Sequence, residues 1–312
     1  MDAVVTGGCG FIGSHLVDAL ARRGERVAVI DDLSTGSREN IARHLGGGAV
    51  TLREADLLGS GWEDLFAGGP TVYHLAADPD VRASGIRPGE VVRKNILVTG
   101  RVLEAMRQND APRLVFTSTS TVYGEASVIP TPEDYAPLEP ISVYAASKLA
   151  CEALVSAYSH TYGMQAWVFR FANIIGERSN HGVIWDFVQK LRSDPRSLEI
   201  LGDGRQAKSY LDVRECVGAM LFAVGNPRGT YHVFNIGSED WIDVKGIADI
   251  VAGALGLSGV EYRFTGGDRG WVGDVPRMLL SIGRLKALGW RPAMGSRESV
   301  MAAARALAGD RR

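Results

Sequence analysis

The spacing of apolar positions changes period along the chain in a regular order. Val4-Val5 is a short apolar run that leads straight into a glycine-rich turn. A helical pattern from Ser14 to Arg23 follows, then a buried-type strand, Arg26 to Ile30, ending at Asp31. Further strand-length runs are Val50 to Arg53, Thr71 to Ala77, Leu114 to Thr119 and Trp167 to Asn173. Helical patterns lie among them at Val91 to Gln108 and Tyr144 to Tyr162. Strands without polar alternation, separated by helices, predict a parallel sheet covered on both faces. The fold class is therefore α/β, a Rossmann-type doubly wound parallel sheet, with a smaller C-terminal α/β domain.

Composition narrows the setting. With 46% hydrophobic and 22% charged residues the chain is of ordinary globular type. A formal net charge of -2 gives no reason to expect nucleic acid or an anionic membrane as partner. Cys9, Cys151 and Cys216 share no metal-ligand spacing and cannot all pair within one chain. They favour a reduced, cytoplasmic setting and no metal. No apolar run reaches membrane-spanning length, and the opening residues read as a strand rather than a signal peptide.

The first turn reads Gly7-Gly8-Cys9-Gly10-Phe11-Ile12-Gly13. Strand, glycine turn, helix, strand and acid, in that order, make a dinucleotide-binding unit. Glycines admit a pyrophosphate close to the backbone, and the helix start supplies N–H donors. Asp31, 18 residues after Gly13, is placed to bind ribose hydroxyls and to repel a 2′-phosphate, so the expected cofactor is NAD. Asp56-Leu57, Ala76, Ala77 and Asn95 are further candidates on the rim beyond the strand ends. His74 sits in an apolar strand and reads as a satisfied core histidine.

Tyr144 and Lys148 stand one helical turn apart on one face. A nearby cation favours the phenolate, so the pair is a candidate base for a hydroxyl-bearing substrate. Pro130, Pro132, Pro137 and Pro140 stiffen the loop before it. The hydroxyl-rich tip Thr117 to Thr121 either partners that tyrosine or is a polar strand end bonded to its own backbone. His181-Gly182-Val183 starts another helix whose N–H groups suit a phosphate.

At these residues the chain resembles the extended short-chain dehydrogenase/reductase family, and within it the nucleotide-sugar epimerases. The resemblance runs from Thr6-Gly-Gly-Cys-Gly-Phe-Ile-Gly13 to Leu288-Gly-Trp-Arg-Pro292. It implies that Thr119, four residues before the tyrosine of Val122-Tyr123-Gly124, is the active hydroxyl, with Ser118 as the fallback. It makes Tyr144 the base, while Lys148 lowers its pKa and holds the nicotinamide ribose. Thr121 stands where a dehydratase or decarboxylase of the family would carry Glu. Arg170 to Gly176 resembles the Arg-Tyr-x-Asn-x-x-Gly signature, which assigns Asn173 to the substrate diphosphate. Lys208 replaces the Arg of an Arg-Asp-Tyr element, Arg269 clamps the diphosphate, Asp274 binds the uridine ribose, and Met278 walls the hexose 2-substituent.

The implied reaction is reversible 4-epimerisation of UDP-galactose and UDP-glucose through a transient 4-keto sugar. The alternatives are epimerisation of a UDP-N-acetylhexosamine or uronate, a reduction, or a catalytically silent NAD-binding sensor. The implied domains are an NAD-binding domain at residues 1–175, with a return segment near 212–237, and a substrate domain at 176–312. The implied assembly is a homodimer, for which Val98, Val102, Met106, Leu154 and Val155 offer apolar surface; burial under a loop would explain them equally well.

Overall fold

The apolar runs become strands that are buried on both faces, except at the edge strand of Val50–Glu54, where Thr51, Arg53 and Glu54 are exposed. In this computed structural model, which describes residues 1–226 and 229–309, β1 (Ala3–Thr6) is buried at every position. Helix α1 (Phe11–Arg22) follows it, and β2 (Val27–Asp31) is again wholly buried. β3 (Val50–Glu54) and β4 (Thr71–His74) extend the series. Next come α2 (Val81–Ile86), α3 (Pro88–Val91) and α4 (Val98–Gln108), then β5 (Arg113–Thr119), α5 (Val143–Tyr162) and β6 (Gln165–Phe171).

The chain divides into two compact units. The first comprises Met1–Val122, Pro140–Arg170 and Met220–Phe234; the second comprises Tyr123–Glu139, Phe171–Ala219 and Asn235–Arg312. The first is built on a seven-stranded sheet in the order Tyr231–Ile236, β6, β5, β4, β1, β2, β3. β1 pairs in parallel with β2 on one side and β4 on the other. The chain thus runs outward through β2 and β3 and restarts at β4, which puts a topological switch between β1 and β4. Ligands of such sheets bind beyond the strand ends at that point.

The helix predicted over Val91–Gln108 is interrupted. Val92–Leu97 forms a π-helical turn before α4 begins. The wider turn loosens the carbonyl ladder at Asn95, whose C=O accepts the Cys151 thiol at 3.4 Å. α5 needs no such adjustment. The Ser142 hydroxyl caps its start by accepting from the Ala145 N–H at 3.1 Å, and Gly163 ends it in the left-handed region.

Val98, Val102, Met106 and Val155 are buried in the first unit's core, and Leu154 packs against that core. They therefore carry no case for a second copy of the chain. The exposed apolar side chains nearby are different ones: Ile86, Val92 and Leu97.

The second unit packs the helices Val183–Ser193, Val244–Ala254 and Ser296–Gly309 around Phe187, Leu198, Ile200, Ile247, Val251 and Val300. It also takes in the proline-rich segment. The Tyr123 hydroxyl donates to Asn235 Oδ1 at 2.7 Å, and the Asn235 amide donates to the Thr131 carbonyl at 2.9 Å. No helix among the described residues is long and apolar enough to cross a membrane. Among them the three cysteines are buried and unpaired.

Candidate active site

The glycine turn of the first unit is close-packed. Gly7 has φ of +70°, and a Cβ there would lie 2.8 Å from the Ala76 nitrogen. A Cβ on Gly13 would lie 2.1 Å from the Gly7 carbonyl oxygen, so only glycine lets the turn fold onto α1. Gly10 precedes α1, and no side chain caps the helix there. The first-turn N–H groups at Phe11, Ile12 and Gly13 are therefore placed to receive an anion.

Asp31, at the end of β2, accepts from the Cys9 N–H at 2.8 Å and the Leu33 N–H at 2.9 Å. Burial raises its pKa against the pull of these two bonds. Beside it, the Ala55 N–H donates to the Asp31 carbonyl. Asp56 is exposed and bonds the Leu58 N–H, while Leu57 is buried. Ala76 and Ala77 lie half-buried just past β4.

Asn95 is placed differently from expectation. Its Oδ1 accepts from the Asp78 N–H at 2.7 Å, and its amide donates to the Asp78 carbonyl and to Ser147 Oγ at 2.9 Å. With donors and acceptor so engaged, it braces the loop after β4 against α5 rather than facing a ligand. His74 is the satisfied core histidine expected. It bonds Thr6 Oγ1 at 2.7 Å and Thr99 Oγ1 at 3.1 Å, and burial drives its pKa down to about 3.

Tyr144 and Lys148 meet the tip of β5. Burial pushes the Tyr144 phenol up to about 12, and a hydrogen bond with the Thr119 hydroxyl pulls it the other way. The groups that act on the phenol besides burial are Thr119, which lowers it, and Cys151 and Asp78, which raise it; Lys148 is not among them. Lys148 is 3% exposed, and burial brings its own pKa down to about 8. Its ammonium lies 4.3 Å from the Phe116 ring centroid and makes no hydrogen bond among the described residues. A buried cation of that kind is placed to donate to hydroxyl acceptors such as those of a nicotinamide ribose.

Thr119 Oγ1 also lies 3.0 Å from Thr121 Oγ1, so three hydroxyls form a chain from Tyr144. Ser118, the fallback, is withdrawn from it. Its hydroxyl donates to Glu152, which is paired with Arg170 in the interior. Neither charge was singled out from the sequence, although a signal existed. Glu152 falls one turn beyond Lys148, and Arg170 is a charge inside an otherwise apolar strand.

The second unit gathers the other candidates around the short strand Ala207–Lys208. Met278 pairs with Lys208 in parallel register. The Asn173 amide donates to the carbonyl of the next residue, Ser209, at 3.1 Å. Lys208 donates to Asp274 Oδ1, while Asp274 Oδ2 accepts from the Gly270 N–H at 2.9 Å. The Lys208 ammonium also lies 5.3 Å from the Trp271 ring centroid.

Arg269 bonds the Asp274 carbonyl at 3.1 Å and pairs with Glu125, holding that carboxyl below its ordinary range. Val183 opens its helix behind Gly182, at φ of +90° and again without a side-chain cap. Among the described residues no cluster of three His, Cys, Asp or Glu could hold a metal.

A sequence model of the NAD dependent epimerase/dehydratase family matches residues 3–237. The chain belongs to that family. It is accordingly an NAD-dependent enzyme of the epimerase type, and the cradle of Gly7, Gly10, Gly13, Asp31 and Lys148 fits that cofactor. A putative UDP-glucose 4-epimerase of Methanocaldococcus jannaschii is 32% identical over 302 residues, which cover 95% of each chain. The crystal structure of a UDP-galactose 4-epimerase is 43% identical, with 99% of each chain covered and a TM-score of 0.88. A UDP-glucuronic acid 4-epimerase from Bacillus cereus, in complex with UDP-glucuronic acid and NAD, is 26% identical with a TM-score of 0.90. That match covers 98% of this chain and 99% of the other.

Proposed function

We propose that the protein catalyses 4-epimerisation of a UDP-hexose, interconverting UDP-galactose and UDP-glucose through a transient 4-keto sugar. The observation that carries this reading is the tip of β5 beside Tyr144. It presents Thr119 hydrogen-bonded to the phenol and Thr121 hydrogen-bonded to Thr119, with no carboxylate at Thr121. Elimination from the hexose needs an acid or base for a carbon-bound proton, whereas a hydroxyl relay handles only the proton on O4.

NAD, when bound, supplies a hydride acceptor that gives the hydride back to the same carbon. The chain's own residues do the rest. Gly7, Gly10 and the first turn of α1 receive the pyrophosphate, and Asp31 takes the adenosine ribose. Lys148 donates to the nicotinamide ribose and adds positive charge beside the base. Tyr144 accepts the O4 proton, Thr119 orients that hydroxyl, and the same phenol returns the proton to the epimeric alcohol. In the second unit Asn173, the helix start at Val183, Lys208 and Arg269 are the diphosphate ligands in this reading. Asp274 takes the uridine ribose.

Met278 gives one specific ground for a broader substrate range. Met278 pairs with Lys208 in the strand register, and its flexible thioether can yield to a 2-acetamido group. Met278→Tyr is expected to lower turnover of UDP-N-acetylglucosamine relative to UDP-glucose, and an unchanged preference would remove that extension. The reaction itself is tested with purified protein and UDP-galactose. UDP-glucose should form in the wild type and not in Tyr144→Phe; NAD binding without turnover of any UDP-hexose would overturn the reading.

A further inference from the structure

Glu152 is a buried acid to which neither the cofactor cradle nor the base assigns a part, although its charge favours the ionised form of Lys148. It follows Tyr144 and Lys148 on α5 at four-residue steps, so the three side chains share one face. It is 3% exposed, and a carboxylate so deep needs partners. Arg170 of β6, itself 5% exposed, supplies Nε at 3.0 Å to Oε1 and Nη2 at 2.7 Å to Oε2. The third partner is the Ser118 hydroxyl, which donates to Oε1.

One carboxylate therefore ties the helix of the base to β5 and β6 together. Stability alone gives little reason for this choice, since apolar residues of similar volume often replace a buried ion pair without loss. Apolar residues could not hold Ser118, however. Ser118 immediately precedes Thr119, whose hydroxyl bonds the phenol.

We propose that Glu152, locked by Arg170, is a positioning residue that fixes Ser118 and thereby holds Thr119 against the Tyr144 phenol. The inference rests on Tyr144 being the base of the proposed reaction. The Thr119 bond opposes the effect of burial on the phenol, whereas Asp78 and Cys151 act with burial to raise it. Lys148 is the remaining charged group on the same face of α5. If Ser118 is released and Thr119 drifts, the phenol rises and a smaller fraction is ionised at any given pH. The acidic limb of the kcat profile then moves to higher pH.

The test uses the full-length, NAD-loaded protein as wild type, Ser118→Ala, Ser118→Thr and the double variant Glu152→Leu with Arg170→Met. Each is assayed with UDP-galactose, UDP-N-acetylglucosamine and UDP-glucuronate, and Tm is recorded. For Ser118→Ala and the double variant, kcat is expected to fall about tenfold or more while KM stays within roughly twofold. Their acidic limb is expected to move up by about one pH unit. Ser118→Thr should restore both, and the double variant should keep its Tm.

A double variant with wild-type Tm, kcat and pH limb would overturn the inference and leave the pair purely structural. Should that variant not fold, Ser118→Ala with unchanged kcat and limb overturns it equally. Turnover of one of the other sugars but not UDP-galactose counts against the proposed substrate alone, and the variants are then compared on the sugar that reacts.

Discussion

The two units hold the lysines of their candidate sites in opposite ways. In the first, the Lys148 ammonium sits over an aromatic ring with no hydrogen bond, and burial lowers its pKa to about 8. In the second, Lys208 is closed onto Asp274 and Arg269 onto Glu125. An unpaired buried cation is poised for a ligand, and its own ionisation is easily tuned. A paired one has to exchange partners, so its net contribution to binding is a difference between two similar contacts. In the proposed reaction the first unit thus supplies the reactivity and the second the selective grip.

The largest effect expected from that division lies in the first unit. Tyr144→Phe should lower kcat by about 10²- to 10⁴-fold and leave the Kd for UDP unchanged, as measured by calorimetry. A weakened UDP affinity would blur the contrast. Next are the two lysines. Lys148→Met removes a buried ammonium that makes no hydrogen bond among the described residues and should raise Tm, while weakening NAD. Lys208→Met strands the buried Asp274 carboxylate and should cost on the order of 2 kcal/mol, seen as a lower Tm. Thermal shifts of the same sign in both variants would break the comparison.

Thr119→Val comes third. Without the hydroxyl, burial acts on the phenol unopposed, so its pKa rises and the acidic limb of kcat moves to higher pH. Added base should recover part of the lost rate, and a limb that moves toward acid would contradict the assignment. The smallest effect belongs to Glu125→Gln. Freeing Arg269 from an exposed pair should tighten UDP by about threefold without altering kcat.

How much of this was legible in advance depended on whether the cause was local. Strand, glycine turn, helix, strand and acid within the first 31 residues follow from periodicity and from the need for glycine at Gly7 and Gly13. His74 was readable for the same reason, because a histidine in an apolar strand must find partners at once. The partner choices were not readable. Glu152 meets Ser118 across 34 positions, and Arg269 meets Glu125 across 144.

Their position in the sequence pattern puts Asn95 and Ser118 among the ligand contacts. Their hydroxyl and amide groups are instead consumed by Glu152, Asp78 and Ser147. The apolar positions on α4 and α5 were ambiguous because core and interface use the same residues; packing within the chain decided them.

In the proposed reaction Tyr144 and its hydroxyl partners move only the O4 proton, while the hydrogen on C4 leaves and returns without meeting solvent. Conversion of UDP-galactose in heavy water tests this directly, with product UDP-glucose read by NMR and mass spectrometry. UDP-glucose with no deuterium on carbon is expected, and no product from Tyr144→Phe. Product carrying solvent deuterium on the hexose, or full conversion by Tyr144→Phe, would contradict it.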